Sequence, residues 1–373
     1  MEKNPQYVPH DLIILILLRL PAMSLLRFKC VCKLWFSLIS QTHFAISHFE
    51  ITAAHNPKIL FISNPDLETR LIDFEASLND YYTSTTLNLN FMRPRPDPRH
   101  PPRYCFFIET KCSCRGFIYL HHGSNFYLWN PSTRVHKQIP LSPNGSYLGV
   151  NYLRYLYGFG YDPSKNDYLV VVMSFDKDVH NFLLHVEFFS LRDNRWKEIE
   201  GPHFPYKNSS HYSMVGSLFN GAIHWLAFRH DLSMNFIIAF DLIEKKLLDM
   251  SLPDDLEHEP TYCDLWVFGE FLSVWTMEND RVEIWVMKEY KVHSSWTKTL
   301  VLSVDVIPTR YFSPICCTKN GDIIGSDGTA GLVKYDENGQ FFEHISYCIE
   351  DCGSRVAVYT ESLLSLPGDN DQD

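Results

Sequence analysis

The chain has 373 residues, of which 45% are hydrophobic and 21% charged, so it can bury a large core and is not intrinsically disordered. Its formal net charge of −11 is uneven, because the first fifty residues carry a net charge of +2 and the remainder −13. An acidic body repels phosphate backbones, which argues against nucleic-acid binding.

The first predicted element is a short amphipathic helix that begins at Pro9. Proline is tolerated in the first turn of a helix, and Leu12 and Ile16 follow one turn apart before Pro21 prevents continuation. The apolar run from Leu12 to Leu18 has seven residues, whereas a bilayer crossing needs roughly 20. We therefore interpret this segment as part of a globular module and expect no membrane association.

Two or three further short helices are predicted before residue 50, three or four in all. Ser24 can cap a second helix that carries Leu25 and Phe28, and Thr42 can cap a fourth. The third helix has an apolar stripe that consists of Val31, Leu34, Trp35, Leu38 and Ile39. So small a module cannot bury all of this apolar surface by itself, which implies a protein partner.

From about residue 54 the pattern changes to β-branched and aromatic runs separated by Gly, Asn and Asp turns. Phe240, Trp285 and Tyr335 lie 45 and 50 residues apart, a spacing typical of four-stranded propeller blades. The strands group into blades at 112–140, 157–200, 213–252, 263–302 and 314–346. A further blade would combine residues 58–91 with the closing run Arg355–Thr360, because a closed ring hides its sheet edges.

The predicted fold is therefore mainly β, with a small N-terminal helical module followed by a β-propeller-like domain of about six four-stranded blades. A count of seven blades is also compatible with this pattern, and a β-sandwich is the rival architecture. The predicted parts are the helical module at 5–50, the propeller-like domain at 54–362, and an acidic tail at 363–373 that we expect to be disordered. The basic, proline-rich stretch 93–103 is expected to be an extended loop, either a tolerated insertion or an interaction peptide.

The N-terminal module resembles the plant F-box. The motifs that carry the resemblance agree in order and spacing: Pro9-His10-Asp11-Leu12, Ile16-Leu17-Leu18-Arg19-Leu20-Pro21, Ser24-Leu25-Leu26-Arg27-Phe28-Lys29 and Val31-Cys32-Lys33-Leu34-Trp35. Leu15 and Met23 depart from it, since many members carry an acidic residue and a lysine at these positions. The resemblance implies binding to a Skp-type adaptor, which links the chain to a cullin scaffold and a ubiquitin-conjugating enzyme.

The β-rich body resembles the F-box-associated domain of a large plant family that includes F-box/kelch-like receptors. Its marks are Gly116-Phe117, Trp129-Asn130-Pro131-Ser132-Thr133, Gly158-Phe159-Gly160-Tyr161-Asp162, Trp196-Lys197, Asn220-Gly221-Ala222-Ile223-His224-Trp225-Leu226 and Ile238-Ala239-Phe240-Asp241. This resemblance implies a non-catalytic, substrate-recognition subunit of a Skp-cullin-F-box ubiquitin ligase, whose body holds an unidentified client protein.

The resemblance also assigns a set of adaptor-binding residues. They are Pro9, Leu12, Ile16, Leu20, Pro21, Leu25, Val31, Cys32 and Trp35. Leu12 and Ile16 share one helix face, and Trp35 is the expected central anchor of the contact. For the client, we interpret three loop segments rich in turn formers or aromatic residues as candidate contacts, namely Ser142–Arg154, His203–Tyr212 and Asp254–Tyr262.

Two other functions are compatible with this sequence. One is a kelch-type propeller enzyme, which would need a metal or covalent cofactor at the propeller centre. The other is a non-degradative protein whose F-box recruits the adaptor without ligase assembly. The chain has no zinc-finger spacing, Gly-rich phosphate loop or hydrolase motif, so we assign no catalytic residue, no cofactor and no metal site.

The ten cysteines are scattered along the chain, which favours a reducing compartment, so we expect the cytoplasm or the nucleus. Thiol titration of freshly prepared, denatured and unreduced protein should therefore find ten free thiols. Recovery of markedly fewer would show that some cysteines form disulfides or bind a metal.

Overall fold

The computed structural model describes residues 9–53, 57–63, 68–75, 78, 89–92, 108–123, 125–143, 155–175, 184–199, 201, 206–207, 214–229, 232–256, 262–329, 331–347 and 354–367. The proline-rich stretch 93–103 lies outside these ranges, as do most residues of the three candidate client loops. Within the described ranges, no helix is long and apolar enough to cross a membrane.

In its described residues the N-terminal module has four helices, the upper end of the predicted three or four: α1 His10–Leu17, α2 Ala22–Phe28, α3 Lys33–Ser40 and α4 Thr42–Thr52. Pro9 and Pro21 stand immediately before α1 and α2, where a missing N–H removes no helical hydrogen bond. The sulfur of Cys32 accepts a hydrogen bond from the Trp35 backbone N–H at 3.5 Å and so caps α3. Ser24, which the sequence suggested as a cap, lies inside α2.

Within the described residues, twenty-four strands build six sheets. Blade 1 contains β1 Pro57–Ser63, β2 Glu68–Ile72 and the last strand, β24 Ser354–Thr360. Blade 2 contains β3 Ile108–Cys114, β4 Phe117–His122, β5 Asn125–Trp129 and β6 His136–Ile139. Blade 3 contains β7 Tyr155–Asp162, β8 Asp167–Phe175, β9 Leu184–Ser190 and β10 Arg195–Ile199.

Blade 4 contains β11 Tyr206–Lys207, β12 Ser217–Phe219, β13 Ala222–Arg229, β14 Met234–Asp241 and β15 Leu247–Ser251. Blade 5 contains β16 Tyr262–Phe268, β17 Phe271–Glu278, β18 Arg281–Met287 and β19 Trp296–Ser303. Blade 6 contains β20 Ser313–Cys317, β21 Ile323–Ser326, β22 Gly331–Tyr335 and β23 Phe341–Ser346. The predicted propeller with six blades is confirmed.

The ring closes where β24 pairs with β1. The antiparallel register runs from Pro57 opposite Thr360 to Ser63 opposite Ser354. The innermost strands β24, β3, β7, β12, β16 and β20 neighbour one another around the centre. The predicted pairing of the last β run with the first body segment is therefore confirmed.

Neighbouring blades pack closely where a glycine meets a tryptophan. A Cβ atom added to Gly158 of β7 would lie 2.6 Å from the Trp225 ring, so only glycine fits at this position. The Trp225 indole N–H donates to the Tyr157 carbonyl oxygen at 2.9 Å. Two of the sequence marks of the body thus form the seam between blades 3 and 4.

The helices and the propeller share one core. Leu17, Leu25 and Phe44 of the helical module belong to the same apolar cluster as blade 2, blade 3, and Leu364 and Leu366 from beyond β24. The predicted disordered tail at 363–373 is wrong in its first part, because Leu363, Leu364 and Leu366 are buried. Residues 368–373 lie outside the described ranges.

A buried histidine connects α4 to the turn that follows α1. The His48 Nε2–H donates to the Leu20 carbonyl oxygen at 2.8 Å, and the ring stacks on Phe44. Burial lowers the pKa of His48 below its ordinary value, although the hydrogen bond to Leu20 and the nearby Glu361 carboxylate act in the opposite direction. His48 therefore supports the helical module in its neutral form.

Ring closure predicts the effect of a truncation. Removing residues 354–373 leaves one edge of β1 unpaired and deletes the fully buried Tyr359 side chain. Loss of a large buried side chain alone costs about 3 kcal/mol, which for a chain of this length lowers the melting temperature by roughly 5 °C or more. Removing only residues 368–373 is the control and should leave it unchanged. An unaltered melting transition after the longer deletion would refute closure through β24.

His48 predicts a pH dependence of the helical module. Because its pKa is lower in the folded state, the unfolded chain takes up the proton first, and stability is lost as the pH falls through the ordinary value of 6.5. The helical circular-dichroism signal should thus melt at a lower temperature at about pH 5.5 than at about pH 7.5. His48→Gln keeps an N–H donor but cannot titrate, so it should reduce this difference, whereas His43→Gln, at an exposed position, should not.

Candidate functional site

The helical module is attached at the end of the propeller where the innermost strands finish. Arg115 lies in the turn between β3 and β4, and its guanidinium group stacks on two aromatic rings, at 4.9 Å from the centre of Phe49 and 4.1 Å from that of Tyr161. Phe49 belongs to α4 and Tyr161 to β7. This arginine therefore joins the module to blades 2 and 3.

The predicted adaptor-binding residues of α1 are exposed. Leu12 is 49% exposed and Ile16 57%, and they lie one turn apart on the helix face that points away from the core. Pro9 and Pro21, which flank α1, are exposed as well. This part of the predicted surface is thus open to a partner.

The connection between α2 and α3 is also exposed. Val31 is 61% exposed, and Cys32 beside it lies at the surface. Trp35 and Leu20 are half-buried and pack against the shared core. The Trp35 ring tilts against Phe28 at 5.4 Å, so this tryptophan also stabilises the module itself.

Leu25 is the member of the predicted set that the structure places elsewhere. Its side chain is 0% exposed and belongs to the apolar core with Leu17, Ile39 and Phe44. Ala22, three residues earlier on the same face of α2, is buried as well, so this face of the helix points into the core. In this conformation Leu25 lies in the core, beneath the exposed residues of the predicted set, and not on the surface.

On the surface of α1 and α3, three further apolar residues were not assigned to the adaptor-binding set. Leu15, Leu34 and Phe36 are each close to half-exposed or more. Phe36 stands outside the predicted apolar stripe of α3, and an aromatic residue off the stripe of an amphipathic helix is itself a signal of a partner. Leu15 is one of the two departures from the F-box pattern and adds to the same exposed apolar set.

The six residues Leu12, Leu15, Ile16, Val31, Leu34 and Phe36 are here named the apolar patch. Covering the exposed half of six such side chains contributes on the order of 5 kcal/mol. Association entropy offsets much of that gain, so a tight partner must use polar contacts as well. Exposed basic side chains of the module, among them Arg19, Arg27 and Lys33, favour an acidic partner.

Two cavities lie along the innermost strands of the propeller. One cavity of about 520 Å³ is lined by the ends of innermost strands, and another of about 600 Å³ by their beginnings. Ile315 of β20 lines both, and the two cavities lie at opposite mouths of the inner ring. Desolvation raises the pKa of Cys112 and of Cys317 at the first mouth to about 12, so these thiols stay protonated and unreactive at neutral pH. In the described part of the chain, no group of three or more metal-binding side chains is found.

Comparison with known proteins agrees with this architecture. A model of the F-box domain matches residues 8–46, and a model of the F-box associated beta propeller domain matches residues 83–335. An Arabidopsis thaliana protein described as "F-box/kelch-repeat protein At3g23880" is 26% identical and aligns over 97% of this chain and 96% of its own length. "F-box protein CPR1" from the same plant is 27% identical over 97% of this chain and 90% of its own length.

A third relative, "F-box protein At4g22390" of Arabidopsis thaliana, is 25% identical over 98% of this chain and 92% of its own length. The alignments thus span the helices and the propeller together, in the same order. The chain belongs to the family of F-box proteins that carry an F-box associated β-propeller domain.

Proposed function

We propose that this chain is the substrate-recognition subunit of a Skp-cullin-F-box ubiquitin ligase. Its F-box docks a Skp-type adaptor and, through it, a cullin scaffold, while the propeller holds a client protein for ubiquitination. The observation that carries the proposal is the apolar patch, because a module of this size exposes six large apolar side chains only where a partner covers them. The family model over residues 8–46 supports the same interpretation.

The two ends of the propeller suggest how the roles are divided. The F-box occupies the end at which β3 and β7 finish, through Arg115 and its two aromatic contacts. The candidate client segments precede β7, β12 and β16 in the chain, and therefore lead into the opposite end of the ring. A client bound there would leave the adaptor-facing surface free.

In this proposal the chain acts by positioning, and no covalent chemistry is assigned to it. When the client is held near a ubiquitin-conjugating enzyme that carries ubiquitin, the effective concentration of the client's lysines at that enzyme rises. We propose the cytoplasm or the nucleus as the compartment. That the propeller is kelch-like stays a prediction.

The double substitution Leu12→Asp, Ile16→Asp tests the proposal. Two unpaired carboxylates in a contact that excludes water cost several kcal/mol, and about 1.4 kcal/mol is tenfold in affinity, so binding to the purified Skp-type adaptor should become undetectable. Trp35→Ala should weaken binding at least about 30-fold, as loss of an interface anchor does. Affinity is measured by isothermal titration calorimetry on the full chain.

Leu232→Asp is the matched control, since Leu232 is a propeller leucine 47% exposed, close to the 49% of Leu12. It should leave adaptor affinity unchanged. Because Trp35 is half-buried, its variant also requires a melting curve that matches the parent. Retention of the adaptor by a folded double variant would show that the apolar patch is not the docking surface.

A further inference from the structure

The chain continues beyond the closing strand as an extended segment with no partner strand. Residues Glu361–Pro367, here named the C-terminal strap, follow β24 directly. Leu364 and Leu366 line a small cavity together with Thr42 and Ile46 of α4 on one side and Tyr168 of blade 3 on the other. The strap therefore lies between the F-box and the propeller.

One buried asparagine holds the backbone of the strap. The Nδ2 group of Asn130 donates to the carbonyl oxygens of Ser362, at 3.1 Å, and of Leu364, at 3.3 Å. Its Oδ1 atom accepts from the backbone N–H of Ser132 at 2.9 Å, which fixes the orientation of the amide. Asn130 is 0% exposed, so these bonds have no competition from water.

Ser132 also forms hydrogen bonds with the strap and with β24. The backbone N–H of Ser362 donates to the Ser132 Oγ at 3.3 Å, and the Ser132 hydroxyl also contacts the hydroxyl of Tyr359 in β24. The Ser362 Oγ in turn accepts from the Leu364 N–H at 3.0 Å. The turn after β5 thus satisfies the strap's backbone groups in the way a neighbouring strand would.

The strap also crosses the turn that carries Arg115. A Cβ atom added to Gly116, which has a φ of +81°, would lie 2.1 Å from the Cβ of Ser362. At the start of the strap, the Glu361 carboxylate pairs with the Lys58 ammonium at 2.8 Å and acts on His48 of α4. Contacts on both sides therefore connect the strap to the helices and to the ring.

We propose that the segment Trp129–Thr133 is a socket for the C-terminal strap, and that the seated strap fixes the orientation of the F-box on the propeller. The socket gives a role to a sequence mark that adaptor binding does not use. A client at one end of the propeller can present its lysines at a defined place only if the other end is held rigidly to the ligase. The presentation of client lysines rests on the proposed function. The geometry of the strap and its role in orienting the F-box do not depend on it.

Asn130→Asp tests the socket. The substitution keeps the acceptor for Ser132 but replaces the donor to Ser362 and Leu364 with a carboxylate oxygen, which repels both carbonyls. Truncation after Thr360 is the second variant, because it keeps β24 and removes the strap. Asn338→Asp is the matched control, since it makes the same change in an exposed turn of blade 6.

Hydrogen–deuterium exchange of the full chain is the measurement. Both variants should raise the exchange rate of the α4 amides roughly tenfold or more, because each removes the hydrogen bonds that hold the strap between α4 and the propeller. The amides of β17 and β18 in blade 5 should exchange as in the parent, and Asn338→Asp should change neither region. If Asn130→Asp does not yield folded protein, the truncation decides by the same comparison.

Two results would overturn the proposal. One is α4 exchange no faster than in Asn338→Asp, and the other is an equal rise in blades 2 and 3, which would make the socket a part of propeller stability alone. Affinity for the Skp-type adaptor is measured in parallel and should stay within about twofold of the parent, because the apolar patch is intact. Failure of the parent chain to bind the adaptor would count against the proposed function. Unchanged α4 exchange in the variants would count against the proposed role of the strap.

Discussion

The antiparallel pairing of β1 with β24 is the constraint on which the other features depend. It joins Pro57 to Thr360 and so brings together two ends of a body about three hundred residues long. Until it forms, β1 has an open edge and the inner ring lacks one of its six strands. The strap begins where this pairing ends, so the same event that closes the propeller also places the segment on which the F-box rests.

In the F-box, the helical period places some apolar residues against the propeller and leaves others exposed. Along α1, Leu17 and Leu18 are buried in the core shared with the propeller, while Leu12 and Ile16 are exposed. An amphipathic helix normally has one apolar and one polar face, and a helix with two apolar faces is stable in water only if both are eventually covered. The propeller covers one face within the chain, and the other is the face that we propose a Skp-type adaptor covers.

The sequence marks of the propeller are mostly residues that join blades. Gly158 leaves room for Trp225, whose indole bonds across the seam, and Asn130 bonds the segment that follows β24. Such contacts depend on backbone groups and on close approach, which explains why few residue types satisfy them. In the proposed function, recognition of a client falls to the loops, as is common for binding residues carried on a rigid scaffold.

The sequence by itself determined what local periodicity controls. Proline stops and helical spacing predicted three or four short helices, and the recurrence of aromatic residues and turns predicted about six blades with bounds close to those observed. It could not determine which side of a helix meets the propeller, so Leu25 was placed on the surface and Phe36 was missed. Nor could it predict the order of residues 361–367, because that segment has no strand pattern and is held by Asn130, more than two hundred positions away. Tertiary structure decided these points, since burial depends on contacts between segments far apart in the chain.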